Sequence, residues 1–494
     1  MSTDSLHSGD ADRARAAAVA VGTVLALTLW RLVWGYHDAT ELSTDEAQYW
    51  LWGQDFSFGA YSKPPMIGWL IGAADSVLGQ SVFAVRVLAP LLHAVTALLI
   101  LALALRLVTP RAAALAAVSY ATMPAVTLGS ALMTTDTPLL TCVAGALLAQ
   151  HAIAARGGRG WALPVMLGVA IGLGLLSKYA MLYALAGMAC AAALSPDWRI
   201  GWRATSIAAG FALALITPNL WWIASHGFVT AQHLVEDAEY SGLSLHLGGT
   251  VRFLAEQFGV VGPILFASWL VGLRHLAGRG ALAGLAVAST LPILIVLVQA
   301  LTGRVLANWA ISFAAAGVIV AAEVLYRRPR LALLSVGLGT VLSLGLPVAR
   351  VYGTGWTLPN GDRVLARYLG HGDVSDWVMA QAGAQGVYTL LAGSRSLLAD
   401  LSWAAAPRGL AVRALPHEGG ARNHWELMFP FDPGSDAMPA AIVARVGTSG
   451  AAICAGQAIF TAHHDAGPGY AAGQGFVMRV IDSPACLAAG DGDG

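Results

Sequence analysis

Apolar runs of about twenty residues recur through the first 350 residues of the chain, and this repetition constrains the fold more than any motif does. Each run is long enough to cross about 30 Å of hydrocarbon, where a helix satisfies its own backbone hydrogen bonds. Spans are read near 17–35, 82–105, 110–128, 137–155, 161–177, 179–194, 203–224, 258–275, 281–301, 307–325 and 331–349, about eleven in all. Composition agrees: 57% of residues are hydrophobic, 11% are charged and the mean hydropathy is +0.65. That excludes an ordinary soluble protein. The formal net charge of +0 leaves no basic footprint for nucleic acid.

Arginines orient the spans. Arg13 and Arg15 precede the first, and alternate loops then carry Arg106 and Arg111, Arg156 and Arg159, Arg199 and Arg203, Arg274 and Arg279, and Arg327, Arg328 and Arg330. These basic loops are expected in the cytoplasm. The intervening loops and the tail then face outward, into the periplasm of a bacterial inner membrane. The first apolar run has no convincing cleavage site and reads as a retained helix.

Residues 1–16 read as a disordered cytoplasmic tip, 17–349 as the transmembrane region, and 36–81 and 225–257 as its two large external loops. In the first loop, "PPMIGWLIGAADSVLG" is too short and interrupted to span, and is expected to lie as a helix at the interface. After Arg350, charges, histidines, Gly and Pro become frequent and apolar runs shorten to strand length, as in "GVYTLL", "AAIVARV" and "GFVMRVI". Residues 350–494 are therefore expected to form a soluble α/β domain on the periplasmic side. Cys454 and Cys486 fall in this exported tail, where a disulfide between them is allowed. No internal repeat stands out.

Two patterns point to chemistry. Acidic residues gather at external span ends: Asp45 and Glu46 after the first span, and Asp136 where the fourth begins. Asp136 also suits a helix cap, which does not exclude a second role. Lysine is almost absent: of 28 basic residues, only Lys63 and Lys178 are lysines, both on the expected external face. A compact ammonium suits a phosphate. Aromatic residues around them, Tyr49 and Tyr61 among them, fit either an interfacial belt or a surface on which a sugar stacks. Ionisable groups at membrane depth are candidates for a functional site.

These residues stand in an order that resembles a known superfamily. Asp45 and Glu46, then Tyr61, Lys63, Pro64 and Pro65 ahead of an interfacial helix, are similar to the polytopic glycosyltransferases of the protein O-mannosyltransferase and lipid A aminoarabinose transferase superfamily. "MTTDTPLL" around Asp136, "GLGLLSKYAMLYAL" around Lys178, "TPNLWWIASHGF" around Asn219 and His226, and "RVLANWA" around Asn308 extend the resemblance over about residues 20–330. "RNHWELMFPFDPG" resembles the tails of bacterial members. Ser62 stands where the aminoarabinose enzymes typically carry Glu, which sets this chain apart from them.

The resemblance implies an all-α polytopic fold with a catalytic cavity at the external face. It also implies a sugar donor on a polyprenyl phosphate and a lipid, glycan or protein acceptor, with inverting transfer. Such a transfer needs a base and a stabilised phosphate leaving group. Asp45 is expected as the base, Glu46 and Asp136 as its companions, and Lys63, Lys178 and Arg304 as phosphate ligands. Glu236, Asp237 and Arg252 are candidates for substrate contact. The resemblance leaves the cofactor open; Asp45, Glu46 and Asp136 offer the oxygen donors that Mg²⁺ or Mn²⁺ would take. The alternative reading is a flippase for lipid-linked sugars, which more often carries midplane charges and repeats.

Overall fold

The computed structural model describes residues 3–237 and 246–488. Helices occupy each segment read as a span. Among the described residues, six are long and apolar enough to cross a membrane: Asp10–Tyr36, Val82–Leu107, Asp136–Ala155, Gly201–Ser225, Ala281–Thr302 and Pro329–Gly355. Ala162–Ser177, Met181–Leu194 and Ile311–Leu325 are shorter apolar helices. The first helix begins at Thr3, so residues 3–16 are its opening turns rather than a disordered tip.

Two expected spans are broken, and proline explains both. The segment near 110–128 is split into Pro110–Ala121 and Pro124–Gly129, with Met123 extended at φ −60°, ψ 137°. A residue before proline is pushed out of the helical region. The segment near 258–275 becomes the pair Leu247–Val261 and Pro263–Ala277, bent by 113°. Gly262 makes the corner at φ +98°, a conformation open to a residue without Cβ.

The first loop carries two helices, Thr44–Trp52 and Met66–Leu78, the latter the expected interfacial helix. They touch through glycine: a Cβ on Gly72 would lie 2.2 Å from the Gly53 carbonyl oxygen. A larger residue there would force the helices apart.

The tail is an α/β domain. Its five-stranded sheet has the order β2-β1-β3-β5-β4, with β1 Thr389–Ala392, β2 Ala411–Ala414, β3 Ala440–Arg445, β4 Phe460–Asp465 and β5 Gly475–Ile481. β2, β1 and β3 run parallel, while β5 is antiparallel to β3 and β4. The three strand-like runs in the sequence are β1, β3 and β5. β2 carries Arg413 within its four residues and β4 alternates around two histidines, so neither reads as an apolar strand. Cys454 and Cys486 are disulfide-bonded.

This domain does not hang free. A single hydrophobic core contains Leu42, Trp50, Trp52, Ile67 and Ile71 from the first loop together with Val378, Leu390, Leu398, Trp425 and Met478 from the tail. Trp50 meets Trp403 edge-on at 4.9 Å between ring centroids.

Beneath that core lies a buried ionic cluster. Arg86 reaches Glu46 at 2.8 Å and Asp38 at 3.0 Å, and Arg350 reaches Asp38 at 2.8 Å. All four side chains are at most 6% exposed. The cluster ties the first loop to helix Val82–Arg86 and to the last membrane helix, Pro329–Tyr352, which leads into the tail.

Candidate active site

Helices Asp136–Ala155 and Ala162–Ser177 are packed neighbours joined by a short turn. The start of one therefore lies beside the end of the other. Asp136 opens the first helix and Lys178 caps the second. Each charge complements the helix dipole at its position. Lys178 Nζ lies 2.7 Å from Asp136 Oδ1, and Asn308 Nδ2 donates to Asp136 Oδ2 at 2.6 Å. Asp136 and Asn308 help line a cavity of about 870 Å³ whose walls include Leu128, Leu132, Val260 and Leu342. Asp136 is thus set into the wall of a largely apolar chamber, with Lys178 as its ion-pair partner.

Asp45 lies in the first turn of helix Thr44–Trp52. Its partners come from the tail, 300 residues and more away. Arg395 forks between Asp45 Oδ1 and Gln48 Oε1, and Arg367 Nη2 lies 3.9 Å from Asp45 Oδ2. The Asp45 side chain remains 43% exposed. Tyr49, one turn along, has its phenol pKa raised by burial and then by the negative charge of Asp45, with Asp136 adding to the effect.

Glu46 has a different position from the one expected of a catalytic companion. Its carboxylate accepts from the Ser43 backbone and from Arg86, completing a capping box. Burial opposes its ionisation, but the Arg86 charge and hydrogen bonds outweigh that and hold the carboxyl below its usual range. It anchors the helix rather than offering an oxygen to substrate.

Lys63 is half-buried in a segment pinned from several sides. Asn219 Nδ2 donates to the Phe58 carbonyl at 2.7 Å, and Thr230 Oγ1 donates to the Ala60 carbonyl at 3.0 Å. Tyr61 is buried and its ring lies 5.2 Å from that of His233. Tyr179, next to Lys178, donates to Asn219 Oδ1 at 2.8 Å. Asn219 therefore links the two lysine-bearing segments. His226 stacks on Trp222 at 4.0 Å and closes the end of its helix.

The remaining candidates separate from this group. Arg252 pairs with Glu256 one turn away and its side chain is 81% exposed, a helix-surface pair. Arg304 is exposed, four residues before Asn308. The side chains of Glu236 and Asp237 lie outside the described residues. Asp45, Glu46 and Asp136 are held by different partners, Arg395, Arg86 and Lys178. Among the described residues, no group of three or more His, Cys, Asp or Glu is arranged to hold a metal, so the oxygen donors named for Mg²⁺ or Mn²⁺ do not form one ligand set.

Sequence reading missed the residues that complete the site. Arg395 and Arg367 reach Asp45, and Arg395 reaches Gln48, only through the docking of the tail. Arg86 lies within an apolar run, where a charge was itself a signal, and Arg350 stands just past the end of the last one. Asn308 stood within a motif but carried no mark of its contact with Asp136.

Fold and site together define a polytopic membrane enzyme of the glycosyltransferase class, and comparison with known proteins places it. The family described as dolichyl-phosphate-mannose-protein mannosyltransferase matches residues 62–222. Lipid A galacturonosyltransferase RgtD of Rhizobium johnstonii is 36% identical over 439 residues, covering 87% of this chain and 91% of that protein. The chain belongs to this family of membrane glycosyltransferases. The crystal structure of ArnT from Cupriavidus metallidurans in the apo state shares the fold with a TM-score of 0.64 at 13% identity, over 97% of this chain and 99% of that one. The same protein bound to undecaprenyl phosphate gives 0.63 at 14% identity, with the same coverage of both chains.

Proposed function

We propose that the enzyme moves a sugar from a polyprenyl-phosphate donor to lipid A at the periplasmic face of the bacterial inner membrane. The observation that carries this reading is the Asp136–Lys178–Asn308 cluster, in which Asp136 and Asn308 line the 870 Å³ apolar cavity and Lys178 pairs with Asp136. An apolar chamber suits a prenyl chain, and a lysine paired to a carboxylate of its wall suits the phosphate that ends it. RgtD acts on lipid A by its name, and ArnT has been solved with undecaprenyl phosphate; both support the choice of substrates.

The acceptor hydroxyl attacks the anomeric carbon and its proton passes to the Asp45 carboxylate. The bond from the anomeric carbon to the phosphate oxygen breaks on the opposite face, so configuration inverts and polyprenyl phosphate leaves. Lys63 and Lys178 balance the charge of that phosphate, with Arg304 in support. Arg395 and Arg367 fix the direction of Asp45. Tyr49 and Tyr61 present ring faces to the sugar.

The test uses the purified enzyme in nanodiscs with radiolabelled undecaprenyl-phosphate galacturonate, then other polyprenyl-phosphate sugars, and lipid A as acceptor. Label should pass to lipid A with wild type and be lost with Asp45→Asn while the variant stays folded in the membrane. No transfer to lipid A from any such donor would overturn the reading. Full activity in Asp45→Asn would remove Asp45 as the base.

A further inference from the structure

The tail domain carries a second crevice, distinct from the membrane cavity. In a sheet of order β2-β1-β3-β5-β4, the chain leaves β1 toward β2 at one edge and leaves β3 toward β4 at the opposite edge. The carboxyl ends of β1 and β3 are thus a topological switch point, where open α/β sheets leave room for a ligand. A crevice of about 420 Å³ lies there, within the usual range for small-molecule sites. Its lining comes from the turns that follow β1, β2 and β3: Ser394, His417, Arg422, Arg445 and Ser449, with Gln474 from the approach to β5.

The charges are one-sided. No Asp or Glu is among the described residues lining the crevice. Arg445 is exposed at the end of β3, and its side chain makes no ion pair or hydrogen bond among the described residues. Arg422 and His417 are positioned by Glu426, which lies behind them with its side chain 4% exposed. It takes Arg422 Nη2 at 2.9 Å and His417 Nε2 at 2.7 Å. One buried carboxylate thus orients an arginine and a histidine, and with Arg445 the lining keeps an excess of positive charge. The hydroxyls of Ser394 and Ser449 and the amide of Gln474 are of the kind that bind sugar hydroxyls.

We propose that this crevice binds an anionic saccharide, a sugar bearing a phosphate or a carboxylate, with Arg445 as the principal contact to the anion. The source is either a glycolipid headgroup or a soluble sugar phosphate. The site is separate from the transfer chemistry and stands without it. The two remain adjacent in the chain: Ser394 and Ser396 line the crevice, while Arg395 between them reaches Asp45.

The experiment titrates full-length protein in lipid A-free nanodiscs with glucose 1-phosphate, with glucose as the uncharged control, and measures heat of binding. Glucose 1-phosphate should bind saturably and at least about tenfold more tightly than glucose, as expected when one charged contact decides affinity. Arg445→Ala should weaken it by a similar factor. Ser449→Trp, which fills the crevice from an exposed turn, should abolish it with the unfolding midpoint unchanged. Lipid A that displaces glucose 1-phosphate assigns the crevice to a lipid headgroup; lipid A that does not displace it assigns the crevice to a soluble sugar phosphate. The proposal is overturned if neither glucose 1-phosphate nor lipid A binds saturably. It also fails if glucose binds equally well, or if binding survives both variants.

Discussion

Replacing Arg395 separates an architectural role of the tail domain from a role in the reaction. The Arg395–Asp45 pair is half-exposed, 45% and 43% by side chain. Pairs of that kind contribute about 0–1 kcal/mol to stability. The second arm of the fork goes to Gln48, which is 2% exposed, and losing that partner adds about 1 kcal/mol. Arg395→Ala should therefore cost no more than about 2 kcal/mol of stability. Activity should respond more strongly. A hydrogen bond to a charged group is worth about 1.5–3 kcal/mol, and each 1.4 kcal/mol corresponds to about tenfold in rate. If Arg395 aims Asp45 at the acceptor, kcat falls about 10–100-fold with the donor KM little changed. Arg395→Lys keeps the charge but not the fork, so it should recover little. The assay is steady-state transfer of labelled sugar, run beside thermal unfolding of the same samples. Wild-type kcat in Arg395→Ala would refute the argument. So would a loss that follows the unfolded fraction.

Lys178→Met leaves Asp136 half-buried with Asn308 as its remaining described partner, so it should lower both transfer rate and thermal midpoint. Asp136→Asn combined with Lys178→Met should restore part of the midpoint but no activity, a coupling read by a double-mutant cycle. Arg86→Met strips Glu46 of its cation and leaves Asp38 to Arg350 alone, and should destabilise the protein by about 3–5 kcal/mol, seen as loss of membrane-inserted, monodisperse protein. His371 supplies a pH dependence to the junction between tail and first loop. Its ring stacks on Tyr470 at 3.9 Å, its Nδ1 lies 3.0 Å from Asp400, its Nε2 faces the Arg367 carbonyl and its backbone N–H donates to Glu41. Burial works against the charged ring, but the Asp400 hydrogen bond and charge prevail and raise its pKa above the ordinary value of 6.5. The resulting stability is fully present below the unfolded pKa and is lost as pH rises through the folded one. Wild type should therefore lose thermal stability between pH 6.5 and alkaline pH, and His371→Gln should show a flatter profile; parallel profiles would exclude the ring as the cause.

The shared core changes how the tail should be viewed. A domain tethered only by the last membrane helix could be removed with little effect on the rest. Here Trp50, Trp52 and Ile71 of the first loop are buried against tail residues. Removing the tail would expose them and take away Arg395 and Arg367. The tail is part of the structure that presents Asp45.

The sequence alone determined the class of this protein, because the physical causes are local. A run of apolar residues must be a helix in hydrocarbon, arginine-bearing turns resist crossing, and a proline after an extended residue ends a helix wherever it falls. The same local logic made Lys63, Lys178, Asp45 and Asp136 stand out as ionisable groups at helix ends, and allowed the Cys454–Cys486 pairing. Only the tertiary structure decided what those groups do to one another. Lys178 meets Asp136 because two helices pack side by side. Asn308 joins them from another part of the bundle, and Arg395 joins Asp45 across 350 residues. Glu46 and Asp45 are adjacent and chemically alike. They diverge because successive side chains on a helix point in different directions: one turns into the buried Arg86 cluster and the other stays half-exposed beneath the tail.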